Sequence, residues 1–91
     1  MKDYSIEISP AAERDLKYLK SKLKNFNELV GAIDGLSLNP RPYGIRKVKG
    51  FNITFRIRFL SYRIIYDIYD RDKKIVILRI AKRDKSTYKF I

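Results

Sequence analysis

The second half of the chain alternates. Over residues 52–60, 62–70 and 74–83, side chains of one kind recur at every second position, the period of an extended strand and not of a helix. Only Ser61 and the polar turn Asp70-Arg71-Asp72-Lys73 separate these stretches. Parallel neighbours need a crossover of about a dozen residues or more, so strands this close in sequence pair antiparallel. Such a meander carries an apolar face that must be covered by something else in the chain.

The first half supplies the cover. Residues 3–8 form a short strand, with Tyr4, Ile6 and Ile8 on one side and Ser5 and Glu7 on the other. Ser9-Pro10 then reads as an N-cap followed by proline at the first helical position. Ala12, Leu16, Leu19 and Leu23 recur at helical spacing, with Arg14, Lys17, Lys20 and Lys22 outside. A second helix turns Phe26, Leu29, Val30, Ile33 and Leu36 inward. Asn39-Pro40-Arg41-Pro42-Tyr43-Gly44 stops that helix in a loop, and a short strand runs near Ile45 to Lys49, ending at Gly50. The tail, Asp84 to Ile91, has no clear period. The expected fold is α+β, a single domain over residues 1–91. It has an N-terminal strand and an α-helical hairpin packed on one face of a twisted, mainly antiparallel sheet.

Alternation also predicts what each face carries. Ile53, Phe55, Ile57 and Phe59 share the covered face with Tyr62, Ile64, Tyr66 and Ile68, and with Val76, Leu78 and Ile80. The open face then holds Thr54, Arg56, Arg58 and Leu60, followed by Arg63, Ile65, Asp67 and Tyr69. The last strand adds Ile75, Ile77, Arg79, Ala81 and Arg83 to it. Solvated sheet faces are often charged, but they mix signs, because like charges on neighbouring strands repel. Here the arginines at 56, 58, 63, 79 and 83 face one acid, Asp67. Arginine favours phosphate, since its planar fork binds two oxygens at once. Arg46, Lys47 and Lys49 form a second basic run beside this face.

The whole chain agrees in charge. Lys and Arg number 21 against 10 Asp and Glu, for a net charge of +11. That balance points to nucleic acid as partner, ahead of an anionic membrane or an acidic protein. Cysteine is absent, which excludes disulfides and thiolate metal sites and fits a reducing cytoplasm. No apolar run approaches the roughly 18 residues of a membrane span, and Met1 to Ser5 lack the apolar segment of a signal peptide. A cytoplasmic protein without membrane, metal or cofactor is expected.

Several blocks, in order, resemble the RelE/ParE toxin superfamily. They are Ser9-Pro10-Ala11-Ala12-Glu13-Arg14-Asp15-Leu16, Asn39-Pro40-Arg41-Pro42-Tyr43-Gly44, Lys47-Val48-Lys49-Gly50, Phe55-Arg56-Ile57-Arg58 and Tyr62-Arg63-Ile64-Ile65-Tyr66, and finally Lys82-Arg83 with Tyr88 behind. The resemblance spans nearly the whole chain and implies the same helical hairpin on an antiparallel sheet. It also implies one of two activities. RelE-like members cleave messenger RNA in the ribosomal A site, whereas ParE-like members poison DNA gyrase. Arg56 and Arg58 are similar to the paired basic positions of the first long strand, where RelE members often have lysine. Arg63 matches the arginine of the Tyr-Arg pair, and Arg83 and Tyr88 match the arginine and tyrosine at the chain's end. This set favours the RelE side. Histidine is absent, so relatives using a histidine acid/base pair are poor guides.

On that reading Arg56, Arg58, Arg63, Arg83 and Tyr88 are the candidate catalytic residues. Cleavage without metal uses the 2′-hydroxyl as nucleophile on the adjacent phosphate, which demands charge stabilisation and proton transfer. Arg63 holds the scissile phosphate, Arg83 stabilises the leaving oxygen or acts as acid, and Arg56 and Arg58 bind backbone or help activate the nucleophile. Tyr88 is either a base or a stacking platform. Arg46, Lys47, Lys49, Arg79, Lys82 and Lys85 would grip RNA without sequence preference. The implied partners are an acidic RelB-like antitoxin that folds on binding, the ribosome and mRNA. A gyrase inhibitor and a non-catalytic binding module are the competing readings.

Overall fold

The computed structural model describes residues 3–83. Its elements are β1 (Ser5–Ile8), α1 (Pro10–Lys22), α2 (Phe26–Gly35), β2 (Arg46–Lys47), β3 (Thr54–Phe59), β4 (Tyr62–Tyr69) and β5 (Lys74–Lys82). They build a five-stranded sheet in the order β1-β5-β4-β3-β2. β1 pairs parallel with β5, and every other pairing is antiparallel. No helix among the described residues is long and apolar enough to cross a membrane.

Ser9 does two jobs at the start of α1. Its hydroxyl accepts from the Ala12 amide at 3.1 Å, capping the helix, and donates to the Leu78 carbonyl at 3.0 Å. The helix is therefore fastened to β5 where it begins. Pro10 occupies the first turn, where its missing amide costs nothing. Lys20 and Lys22 sit in the last turn, where the helix dipole favours positive charge.

The helices and the sheet share one core. Ala12, Leu19, Leu29, Ile33 and Leu36 meet Ile64, Tyr66, Ile68, Ile75, Ile77 and Ile80 there. Each large aliphatic side chain buried in this way stabilises the fold by roughly 1.5–3 kcal/mol. The covered face of β3 and β4 is the one expected from alternation, with Phe55, Ile57, Phe59 and Tyr62 packed at its margin. Two margins differ. Ile53 lies outside β3 and is exposed, and β2 is shorter than the expected 45–49.

The last strand corrects the sequence reading. Ile65 pairs with Arg79, but the next residue, Tyr66, pairs with Ile77, so Leu78 is an extra residue in β5. This bulge shifts the alternation by one position. Before it, Ile75 and Ile77 oppose Ile68 and Tyr66 and are fully buried in the core. After it, Ile80 takes over opposite Ile64. Ile75 and Ile77, expected on the open face, are core residues, and Val76 lies opposite Asp67 on the other side. The bulge leaves Arg79 and Ala81 on the arginine face, as expected.

Candidate nucleic-acid interface

Register brings the arginines together. Arg58 lies directly opposite Arg63 across β3 and β4, and Arg46 lies opposite Arg56 across β2 and β3. The first pair owes its position to a two-residue turn, Leu60-Ser61, which closes the hairpin between Phe59 and Tyr62. Leu60 adopts a φ of +54°, a left-handed conformation unfavourable for a side chain with a Cβ. Its carbonyl accepts from Arg58 Nε at 3.4 Å and from Arg83 Nη1 at 3.5 Å. The Arg83 amide donates to the Ser61 carbonyl at 2.8 Å, so the residue after β5 folds back on the same turn.

The result is a concavity of about 300 Å³ lined by Gly44, Arg46, Arg56, Arg58, Arg63 and Arg83. Like charges facing each other across strands repel, so this grouping costs stability unless an anion answers it. Arg83 registers the crowding. Desolvation, and then the charges of Arg58 and Arg63, lower its pKa from the usual arginine value. A second concavity of about 300 Å³, lined by Lys47, Val48, Lys49 and Arg56, adjoins the first through Arg56. The face's acid, Asp67, stands four residues along β4 from Arg63, about 13 Å at the rise of a strand. It is occupied locally, accepting from Thr54 Oγ1 at 2.5 Å and from the Tyr69 hydroxyl at 3.5 Å.

Two of the expected RNA-gripping residues do not line the concavity. Arg79 forms a fork with Asp15 of α1, Nε to Oδ2 at 2.7 Å and Nη2 to Oδ1 at 3.1 Å. The Ile80 amide donates to the same carboxylate at 2.9 Å, so Asp15 ties α1 to β5. Hydrogen bonding to Asp15 raises the Arg79 pKa against the opposing effect of burial. Lys82 lies opposite Tyr62 in register, with its ammonium 5.9 Å from the Tyr62 ring, which places it on the helix side of the sheet. Lys85 and Tyr88 lie outside the described residues.

Sequence reasoning missed Gly44 as part of the wall and Asp15 as the partner of Arg79. Gly44 carries a φ of +92°, which the turn dipeptide Tyr43-Gly44 foreshadows. Asp15 is three residues beyond the buried Ala12, and an acid on the flank of an apolar stripe was the available signal.

Residues 6–86 match the family described as the ParE toxin of type II toxin–antitoxin system, parDE. A protein assigned as toxin RelE1 from Methanocaldococcus jannaschii is 34% identical over 85 residues, covering 89% of this chain and 91% of the relative. Solved structures agree. A chain of the toxin–antitoxin complex RelBE2 from Mycobacterium tuberculosis is 28% identical with a TM-score of 0.73, over 89% of this chain and 99% of that one. A chain of the archaeal RelE–RelB complex from Pyrococcus horikoshii OT3 is 25% identical with a TM-score of 0.77, over 91% and 98%.

Proposed function

Because the chain belongs to the RelE/ParE superfamily of type II toxin–antitoxin toxins, we propose that it is a RelE-type endoribonuclease that cuts messenger RNA in the ribosomal A site. The observation that carries this reading is the arginine concavity. Arg46, Arg56, Arg58, Arg63 and Arg83 line one concavity, an arrangement suited to stabilising charge on a phosphodiester.

In this mechanism the 2′-oxygen attacks the neighbouring phosphorus, the bond from phosphorus to the 5′-oxygen breaks, and a 2′,3′-cyclic phosphate forms. The proton leaving the 2′-hydroxyl and the proton reaching the 5′-oxygen balance. Arg63 and Arg58, opposite each other, hold the non-bridging oxygens and stabilise the charge that builds on them. Arg83 stands over the leaving oxygen. Its lowered pKa makes it a better proton donor than an isolated arginine, although it stays charged at neutral pH. Arg46, Arg56, Lys47 and Lys49 extend the grip along the backbone of the message. Tyr88 keeps its two candidate roles, base or stacking platform. The partner that silences the toxin is an acidic RelB-like antitoxin, by charge complementarity to a chain of net +11 and by analogy with the RelB-bound relative from Pyrococcus horikoshii. Both meet in the cytoplasm.

The test is reconstituted. With ribosomes carrying a defined message, the wild-type chain should release a fragment ending in a cyclic or 3′-phosphate. Arg63→Ala and Arg83→Ala should each slow release by about 10²–10³-fold while keeping the wild-type circular dichroism spectrum. Full activity in both variants rules out this site.

The name of the matching family favours a second reading, inhibition of DNA gyrase. It predicts loss of supercoiling activity by purified gyrase and an intact message in the ribosome assay.

A further inference from the structure

Tyr43 is fully exposed, with a relative accessibility of 102%. A lone exposed aromatic on a floppy loop would carry no meaning. This loop is pinned. The Tyr66 hydroxyl donates to the Pro40 carbonyl at 2.8 Å, and burial pushes the Tyr66 phenol above its usual range, keeping that proton in place. Arg41 forms a bidentate pair with Asp70 at 3.0 and 2.7 Å and lays its guanidinium over the Phe55 ring at 5.5 Å. The Tyr4 hydroxyl donates to the same carboxylate at 2.7 Å. The Ile45 amide then donates to the Pro42 carbonyl at 3.2 Å, closing a turn with Tyr43 and Gly44 at its corners. The positive φ of Gly44 is what the third position of a type II turn demands.

The fold therefore holds an aromatic ring out in water at a fixed corner. The residue after it, Gly44, is part of the wall of the arginine concavity. A single-stranded nucleotide presents the same pair of features, a phosphate and, one sugar away, a flat apolar base. Interfaces for single strands combine a cationic track with aromatic rings on which bases stack. We propose that Tyr43 is the stacking platform for the base next to the phosphate held by Arg58 and Arg63. This inference rests on the RNA reading above. Stacking is tolerant of sequence, so Tyr43 adds affinity and orientation without selecting a base.

The test measures fluorescence anisotropy of a labelled single-stranded oligoribonucleotide with the full chain, using an abasic ribose-phosphate oligomer of equal length as the second probe. Tyr43→Ala should weaken oligoribonucleotide binding by about 5–150-fold, the equivalent of about 1–3 kcal/mol, and leave the abasic probe unaffected. Tyr43→Phe should bind as wild type, and Arg63→Ala should weaken both probes. If Tyr43→Ala binds the oligoribonucleotide as wild type while Arg63→Ala loses both probes, the RNA site stands and the platform is wrong. If Tyr43→Ala weakens both probes equally, the residue only shapes the loop, and the proposal fails. If Tyr43→Ala binds both probes normally but loses its grip on an acidic antitoxin, the ring belongs to a protein contact instead. If the wild-type chain binds neither probe, the concavity holds no free strand and the platform falls, while the ribosome assay still decides the RNA reading.

Discussion

Arg63 and Arg79 share one face of the sheet and do different work. Arg63 lines the concavity, whereas Arg79 is committed to Asp15. The alternation in the sequence puts both on that face, but the helix–strand contact that claims one of them is 64 residues distant in the chain and invisible to local pattern. The distinction is measurable. Asp15→Ala removes the carboxylate that accepts from both Arg79 and the Ile80 amide in a part-buried setting, a loss of about 1–3 kcal/mol. Thermal unfolding should show a fall in Tm of roughly 5–20 °C, whereas Arg63→Ala should show its loss in message cleavage. A second residue-scale prediction concerns pH. Hydrogen bonds from Arg41 and then Tyr4 hold the Asp70 carboxyl at about 2, down from 3.8. A depressed carboxylate pKa stabilises the fold above the unfolded value and loses that contribution as pH falls through the folded one. The difference in Tm between wild type and Asp70→Asn should be constant above about pH 4 and shrink towards pH 2. Because the pair is exposed, the difference should also narrow in high salt.

At the scale of elements, β3 and β4 were readable because nothing interrupts their alternation, and their arginines fell into place with them. β5 was readable as a strand but not as a pair of faces. Its first half is apolar on both sides, so the sequence Ile75-Val76-Ile77-Leu78 offers no polar residue to mark the phase, and the bulge at Leu78 is silent. The two phases make opposite predictions. With the bulge, Ile77→Ala opens a cavity in the core and should cost about 2–4 kcal/mol in urea unfolding. Val76→Thr, on the half-buried outer face, should cost less than about 1 kcal/mol. Strict alternation reverses that order. The bulge also has a consequence for the site. It returns Ile80 to the core after Ile77 and so keeps Arg83 on the side of Arg58 and Arg63.

Over the whole molecule, charge and topology converge. The sheet's order leaves β2 and β1 at the edges, and the helices occupy one face. The other face carries the arginine concavity, with its basic edge at Arg46 to Lys49. Ile65 is nonetheless fully buried there, between Arg56 and Arg79 in register, so that face is an ordered surface rather than loose solvated charge. Fold, family and face were legible from sequence, because each depends on local period and on ordered blocks. Which basic residues meet in space was less so, because the Asp15 contact that claims Arg79 joins residues far apart in the chain. The central claim is that this site cuts translated messages. Mapping of RNA 5′ ends after brief expression tests it directly. New 5′ ends confined to translated regions, present with the wild-type chain and absent with Arg63→Ala, are the predicted result. Growth arrest with intact messages and broken DNA would contradict it.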